Sequence, residues 1–77
     1  MDGTDIITIV ARNVRRARKA AGLSQEQLAF EAGLDRTYIS QVERGRRNLT
    51  VKVLAKLAAA LNTTPHRLLA PPRALKR

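Results

Sequence analysis

Residues 23–45, LSQEQLAFEAGLDRTYISQVERG, contain the pattern that decides the fold. Apolar residues recur there at three- and four-residue intervals, which is the period of an amphipathic helix. The pattern predicts one helix over residues 24–31 and a second over 35–44, separated by a three-residue turn that contains Gly33. The stretch therefore predicts two short helices joined by a tight turn.

Residues typical of helix starts and helix ends place the remaining helices. Three helix starts have an oxygen-bearing N-cap between two apolar residues, which staple the chain to the first helical turn. These starts are Leu23 and Leu28 around Ser24, Leu34 and Ile39 around Asp35, and Leu49 and Leu54 around Thr50. Helix ends are marked by Gly22, Gly33 and Gly45, where a left-handed residue commonly closes the last turn. With a capping box at Ser24 and Gln27 and a Thr64–Pro65 start, the pattern predicts five helices, at 5–21, 24–31, 35–44, 50–61 and 64–70.

The second and third predicted helices have the spacing of a helix-turn-helix arrangement. An ordinary helical hairpin without a ligand has the same spacing, so spacing alone leaves both interpretations open. We expect an all-α fold, because alternating strand-like runs are missing. A chain of 77 residues provides one small core, which we place in one domain over 1–70 followed by a basic tail over 71–77.

Charge is the most informative part of the composition. The chain has 15 Lys and Arg against six Asp and Glu, a net charge of +9, and no acidic residue follows Glu43. Such an imbalance favours binding to polyanions, with nucleic acid first and an anionic membrane surface second. The arginines after Glu43 also fit a solvated charge run, so a basic surface without a specific partner stays an alternative.

Several functional classes lack the residues that they need. The chain has no cysteine, which excludes a disulfide framework and a thiolate metal site. Its one histidine, His66, has no carboxylate nearby in the sequence, so we expect no enzyme activity, no metal and no cofactor. No apolar run approaches the roughly 20 residues of a membrane span, and the start is not a signal peptide. We therefore expect a cytoplasmic protein with no membrane partner and no room for a small-molecule effector domain.

The segments LSQEQLA, AGLDRTYIS and VERGRRN resemble the Xre/Cro/phage-repressor helix-turn-helix family, across about residues 9–70. The resemblance implies a compact five-helix domain of the lambda-repressor type, which binds double-stranded DNA and regulates transcription in a bacterium or phage. Within this family, LDRTYISQVERGRRNLTVKVL is similar to the short controller proteins of restriction–modification systems.

The resemblance also implies roles for individual positions. Base edges are expected to contact Arg36, Thr37, Ser40 and Gln41. DNA phosphates are expected to contact Ser24, Gln25, Tyr38, Arg44, Arg46, Arg47 and Asn48. For Tyr38, packing against the helix pair is an equal alternative. A structural ion pair is implied between Arg18 and Glu43, which would tie the first helix to the recognition helix.

The residue types on the outward face of the third predicted helix agree with base reading. Steps of three and four residues place the four base-reading candidates opposite Ile39 and Val42, which face the core. Arginine can bridge guanine O6 and N7, glutamine can bridge adenine N6 and N7, and serine or threonine can serve either base. Serine and threonine are mediocre helix formers, so this face is better suited to reading a major groove than to stabilising a helix.

A homodimer is expected because one recognition helix reads only a few base pairs. Proteins with this motif commonly bind two half-sites about 34 Å apart through a twofold axis, so we expect an inverted-repeat operator. We assign the dimer interface to the C-terminal third, at Leu61, Leu68 and Leu69. The alternative is that Leu68 and Leu69 complete the monomer core. RNA polymerase is a further partner in activation, and the sequence leaves repression, activation or both open.

Two other functional classes stay open. An antitoxin would bind a toxin protein as well as its own operator, although only seven residues follow the fifth predicted helix. A basic RNA-binding or membrane-surface module is the other class. RNA-binding modules rely on aromatic stacking, and this chain has one Tyr, one Phe and no Trp.

Overall fold

The computed structural model describes residues 5–71, and this range forms helices without a strand. The helices are α1 (Ile6–Ala20), α2 (Gln25–Ala32), α3 (Arg36–Glu43), α4 (Val51–Ala60) and α5 (Pro65–Leu69). The expected all-α, five-helix fold is confirmed, and each helix lies within one residue of its predicted bounds at either end. The predicted tail lies outside the described residues from position 72 onward. No described helix combines the length and the apolar character that crossing a membrane requires.

Side-chain caps begin three of the helices. The Ser24 hydroxyl accepts a hydrogen bond from the Gln27 backbone N–H at 3.0 Å, and the Ser24 N–H donates to Gln27 Oε1 at 2.8 Å, which confirms the capping box. Thr50 and Thr64 accept from the backbone N–H three residues later, at 3.1 and 3.2 Å.

The predicted side-chain cap at Asp35 is wrong. Its carboxylate makes no capping hydrogen bond, and the residue is exposed to water. The start of α3 is instead held by apolar packing, because Leu34 lies against the core and Ile39 is fully buried. Of the expected cap and staple at this position, only the hydrophobic staple is present.

Four helices end in the same hydrogen-bonded turn, with a left-handed residue after the last helical turn. At the end of α2, the Gly33 N–H donates to the Phe30 carbonyl at 3.2 Å and the Leu34 N–H donates to the Ala29 carbonyl at 2.8 Å. Gly33 has φ +70°, which glycine adopts without strain, and this turn sets the direction in which α3 leaves α2. The equivalent residues at the ends of α1, α3 and α4 are Gly22, Gly45 and Asn62.

All five helices contribute to one core. Its largest fully buried side chains are Leu28, Ile39, Leu57 and Val14. α3 packs against α1 and α2, whereas α5 packs against α1 and α4. The core therefore holds α3 from one side and leaves its other side uncovered.

Two residues of the expected dimer surface belong to this core. Leu61 is 7% exposed and Leu68 is 2% exposed, because α5 folds back over α1 and α4 and covers them. A buried side chain has little surface for a second protomer, so this burial is an argument against Leu61 and Leu68 in the expected interface, which stays a prediction. Leu69 is 40% exposed, so the alternative in which it also completes the core does not hold.

Candidate nucleic-acid interface

The two sides of α3 have different environments. Ile39 and Val42 are buried, with 0% and 2% of their surface exposed. Arg36 and Thr37 are exposed, and Ser40 and Gln41 are half-buried. These last four residues are the base-reading candidates, and the structure brings them together on the helix surface outside the core.

A buried ion pair fastens α3 to the rest of the molecule. Arg18 of α1 donates from Nε to Glu43 Oε2 at 2.6 Å and from Nη2 to Glu43 Oε1 at 3.0 Å. A third donor, Arg18 Nη1, reaches the Leu23 carbonyl at 2.9 Å. Gln25 of α2 donates from Nε2 to Glu43 Oε1 at 3.1 Å. The Glu43 carboxylate therefore connects the end of α3 with α1 and with the first turn of α2.

The environment of this pair keeps both groups in place. The Arg18 and Glu43 side chains are 11% and 4% exposed. The hydrogen bond to Glu43, supported by the charge of that carboxylate, raises the pKa of Arg18 above its ordinary value, against the opposing effect of burial. A raised pKa means that the stabilising charge of Arg18 is complete below the ordinary arginine pKa and is lost only at more alkaline pH. Since burying two charges costs nearly what their attraction returns, the pair fixes helix geometry more than it adds stability.

The loop after α3 folds back onto the helix. The Gly45 N–H donates to the Val42 carbonyl at 3.0 Å, and the Arg46 N–H donates to the Gln41 carbonyl at 2.9 Å. Arg47 donates from Nε to the Gln41 side-chain oxygen at 2.8 Å, and its guanidinium carbon lies 4.6 Å from the centre of the Tyr38 ring. The loop therefore presents its cations beside the outward face of α3.

The other phosphate-contact candidates have identifiable positions around that face. Arg44, Arg46 and Asn48 are exposed. The Ser24 oxygen already accepts the Gln27 N–H, and the Gln25 side-chain nitrogen is engaged by Glu43, as described above. The hydroxyl hydrogen of Ser24 and the carbonyl oxygen of Gln25 take no part in those bonds. The Ser24 hydroxyl and the second N–H of the Gln25 amide can each donate to a phosphate oxygen, while the first amide N–H of Gln25 supports α3 through Glu43.

Tyr38 shows one of its two expected environments. The ring is half-buried and packs against the core cluster, while Arg47 lies over one face. The packing interpretation therefore describes the position of the ring. Phosphate contact by the Tyr38 hydroxyl stays a prediction.

Two exposed arginines of α1, to which the sequence analysis gave no role, lie next to this surface. Arg12 and Arg15 line a shallow hollow together with Arg44 and Gly45. Their three-residue spacing places both on one side of α1. The charge density of α1 was visible in the sequence, but the side that faces the end of α3 depends on how the two helices pack.

The chemistry of this surface is hydrogen bonding and charge. Among residues 5–71 no three His, Cys, Asp or Glu side chains group as metal ligands would. His66, on α5, is exposed, and α5 packs against α1 and α4. The outward face of α3 offers guanidinium, hydroxyl and carboxamide groups, which suit the polar edges of bases, and the cations around it suit phosphates.

Comparison with known proteins agrees with this geometry. A family model described as helix-turn-helix matches residues 14–68. The control protein C.SmaI of Serratia marcescens is 55% identical over 65 residues, which cover 84% of this chain and 77% of that protein.

Solved structures share the fold over most of the chain. The crystal structure of the hypothetical transcription factor NHTF from Neisseria superposes with a TM-score of 0.89 at 45% identity, covering 95% of this chain and 84% of that one. The regulator SinR, solved in complex with DNA, gives a TM-score of 0.76 at 32% identity, covering 79% of this chain and 98% of that one. The chain therefore belongs to the helix-turn-helix family, in the Xre-like group of DNA-binding transcriptional regulators that includes restriction–modification control proteins.

Proposed function

We propose that this regulator acts as a homodimer on an inverted-repeat operator and is a controller of the restriction–modification type. One domain over residues 1–70 performs the binding. The observation that carries the proposal is the uncovered face of α3, with its four candidate base-reading side chains, on a helix locked from behind by the Arg18–Glu43 pair.

The dimensions of α3 suit a major groove. An α-helix with its side chains is about 10–12 Å in diameter, and the major groove of B-DNA is about 12 Å wide, so the eight-residue α3 can enter it. Arg12, Arg15 and Arg44 lie near one end of this helix, so they can contact phosphates while α3 lies in the groove. A rigid attachment at Glu43 favours a single orientation of the four reading side chains.

An apolar surface near the N-terminal end of α1 supports a dimer. Ile6 is 48% exposed and Leu69 is 40% exposed, and both line one hollow together with Ile7 and Leu49. A twofold axis at this surface would bury apolar groups from both protomers. We propose that the interface lies at the junction of α1 with α5 and that Leu69 contributes to it.

Regulation would follow from where the dimer binds. Operator occupancy can block RNA polymerase or place the dimer where it contacts the polymerase, and the position of the operator relative to the promoter decides between them. The likeness to C.SmaI favours the controller type over an antitoxin. We propose a site of action in the cytoplasm, where chromosomal DNA is accessible.

Selection of DNA from a random pool tests this function. Purified protein is mixed with randomised duplexes, bound fragments are sequenced after several rounds, and the mass of the complex gives the number of protomers. We expect an inverted repeat with half-site centres about 34 Å apart and two protomers per repeat. Unrelated bound sequences would contradict sequence-specific binding, and a single asymmetric site with one protomer would contradict the dimer.

A further inference from the structure

The contact between Arg47 and Gln41 determines which atoms of Gln41 are available to a base. Arg47 Nε lies 2.8 Å from Gln41 Oε1. A guanidinium has only donors, so the atom that faces it must be the carboxamide oxygen and not the nitrogen. The acceptor of Gln41 is therefore engaged within the protein, and its amino group is the part left to approach DNA.

Two further contacts hold Arg47 in this position. Its guanidinium lies over the ring of Tyr38 at 4.6 Å, and Tyr38 is itself packed against the core. The backbone of the loop is tied to the same turn of α3, because the Arg46 N–H donates to the Gln41 carbonyl at 2.9 Å. The position of Arg47 relative to Gln41 is thus held by the Tyr38 ring, by the Gln41 side chain and by the main-chain bond from Arg46 to Gln41.

This arrangement changes the base that Gln41 suits. Adenine pairs with a free glutamine by donating from N6 to the carboxamide oxygen while N7 accepts from its nitrogen. The oxygen of Gln41 keeps a second lone pair, but an adenine amino group that approached it would meet the positive charge of Arg47. Guanine O6 and N7, or thymine O4, are acceptors that the same charge attracts.

We propose that Arg47 is a specificity-determining positioning residue, which turns Gln41 into a donor and so selects a base with acceptor atoms, guanine or thymine, over adenine. The inference rests on the proposed reading of DNA by α3 and goes beyond it by naming the base class at one position. It replaces the adenine contact expected for an unconstrained glutamine.

The test uses binding of full-length protein to a set of operator duplexes. Each base pair of one half-site is changed in turn to the other three, and affinities are measured for the unmodified protein, Gln41→Ala and Arg47→Met. Gln41→Ala identifies the base pair that Gln41 faces, because preference is lost there. Arg47→Met retains the aliphatic part of the side chain and removes its donors and charge, and Arg46→Met removes one charge from the same loop as the matched control.

At the base pair identified by Gln41→Ala, we expect the unmodified protein to prefer guanine or thymine over adenine by about tenfold. Arg47→Met should move that ratio toward adenine by a similar factor and leave the ratios at other pairs unchanged. Arg46→Met should weaken binding to all duplexes alike.

Three results would overturn the inference. One is a preference for adenine by the unmodified protein at that pair. Another is an Arg47→Met protein that loses affinity equally for every duplex, because Arg47 would then contact only phosphate. The third is a Gln41→Ala protein that keeps its base preference at every pair, because Gln41 would then read no base. Absence of any selected operator would instead contradict the proposed function, so the two failures are distinguishable.

Discussion

Single side chains on α3 divide between packing and recognition according to the helical period. Ile39 and Val42 are buried, while Arg36 and Thr37 are exposed to water at the first turn. Arg36 is a long donor-rich side chain, and its position opposite the core leaves it available to a base edge. Two predictions separate base reading from phosphate binding at this scale.

Arg36→Ala should weaken binding to the cognate operator by about 1–3 kcal/mol and relax the preference at one base pair. The physical reason is the loss of a bidentate contact that the other bases do not match. Fluorescence anisotropy with operator and base-substituted duplexes measures both effects, and Lys56→Ala, which removes an exposed cation on α4, is the control. Equal losses on operator and random duplexes would reject base reading by Arg36.

Arg46→Ala should weaken binding to every sequence and reduce the slope of log affinity against log salt concentration by about 1. Arg46 is exposed in the loop after α3, and a phosphate contact releases counterions irrespective of base sequence. Titrations at several salt concentrations measure the slope. If the slope equals that of the unmodified protein, Arg46 is a solvated surface residue.

Periodicity predicts which residues point outward, and it does so here because α3 is a regular helix with a clear apolar side. It does not predict contacts between that face and the next loop. The bond from Arg47 to Gln41 depends on the left-handed turn at Gly45 and on the packing of Tyr38, so the sequence indicated two separate DNA contacts where the structure joins the residues.

Helices and their junctions explain how α3 is held. Glu43 receives hydrogen bonds from Arg18 of α1 and Gln25 of α2, so one carboxylate positions three elements. α5 is fastened in a comparable way, because Asn13 of α1 donates to the carbonyls of Leu68 and Ala70 at 2.9 and 2.8 Å. Partly buried polar links of this kind select one arrangement of helices among several that apolar packing permits.

Glu43→Ala should lower the free energy of unfolding by about 3–5 kcal/mol, because it leaves a nearly buried arginine without its partner. Glu26→Ala, an exposed change in the first turn of α2, should cost well under about 1 kcal/mol. Urea denaturation followed by circular dichroism compares the two. Similar midpoints for the two variants would contradict a structural role for the ion pair.

Helix ends could be predicted from the sequence wherever a single residue type marks them. Gly22, Gly33 and Gly45 mark helix ends by residue type alone, whereas Asn62 closes α4 at φ +58° without a comparable signal, since asparagine occurs in many other settings. The role of Asn13 was out of reach, because its partners lie 55 and 57 residues away in the sequence. Long-range bonds become visible only after the helices are packed.

At the scale of the whole molecule, the apolar hollow adjoins the basic surface. Arg12, Arg15 and Arg44 lie together beside the end of α3. Ile6 and Leu69 line a mostly apolar hollow that Arg47 and Asn48 also border. The described part of the chain measures 34 × 23 × 20 Å. The overall charge predicted the class of partner, whereas the difference in burial between Leu69 and the pair Leu61 and Leu68 could not be predicted, because all three are leucines.

Leu69→Glu should give a folded and predominantly monomeric protein whose operator affinity is lower by on the order of 100-fold, because linkage of the two half-sites is lost. A charge at a partly exposed position leaves the monomer core intact. Phe30→Glu is the matched control, since Phe30 is 85% exposed on α2 and lies outside the hollow. Sedimentation at micromolar concentration measures the association, and a Leu69→Glu dimer as stable as the control would contradict the proposed interface.

The central claim is that the outward face of α3 reads base sequence, and the ratio of affinities for the selected operator and a scrambled duplex tests it most directly. The comparison uses the unmodified protein and a variant with Arg36, Thr37, Ser40 and Gln41 all changed to Ala, with matched denaturation midpoints. We predict a ratio of about 10³ or more for the unmodified protein, and a ratio near unity for the variant, which should still bind scrambled DNA through its remaining cations. A variant that folds and keeps the full ratio would contradict the claim.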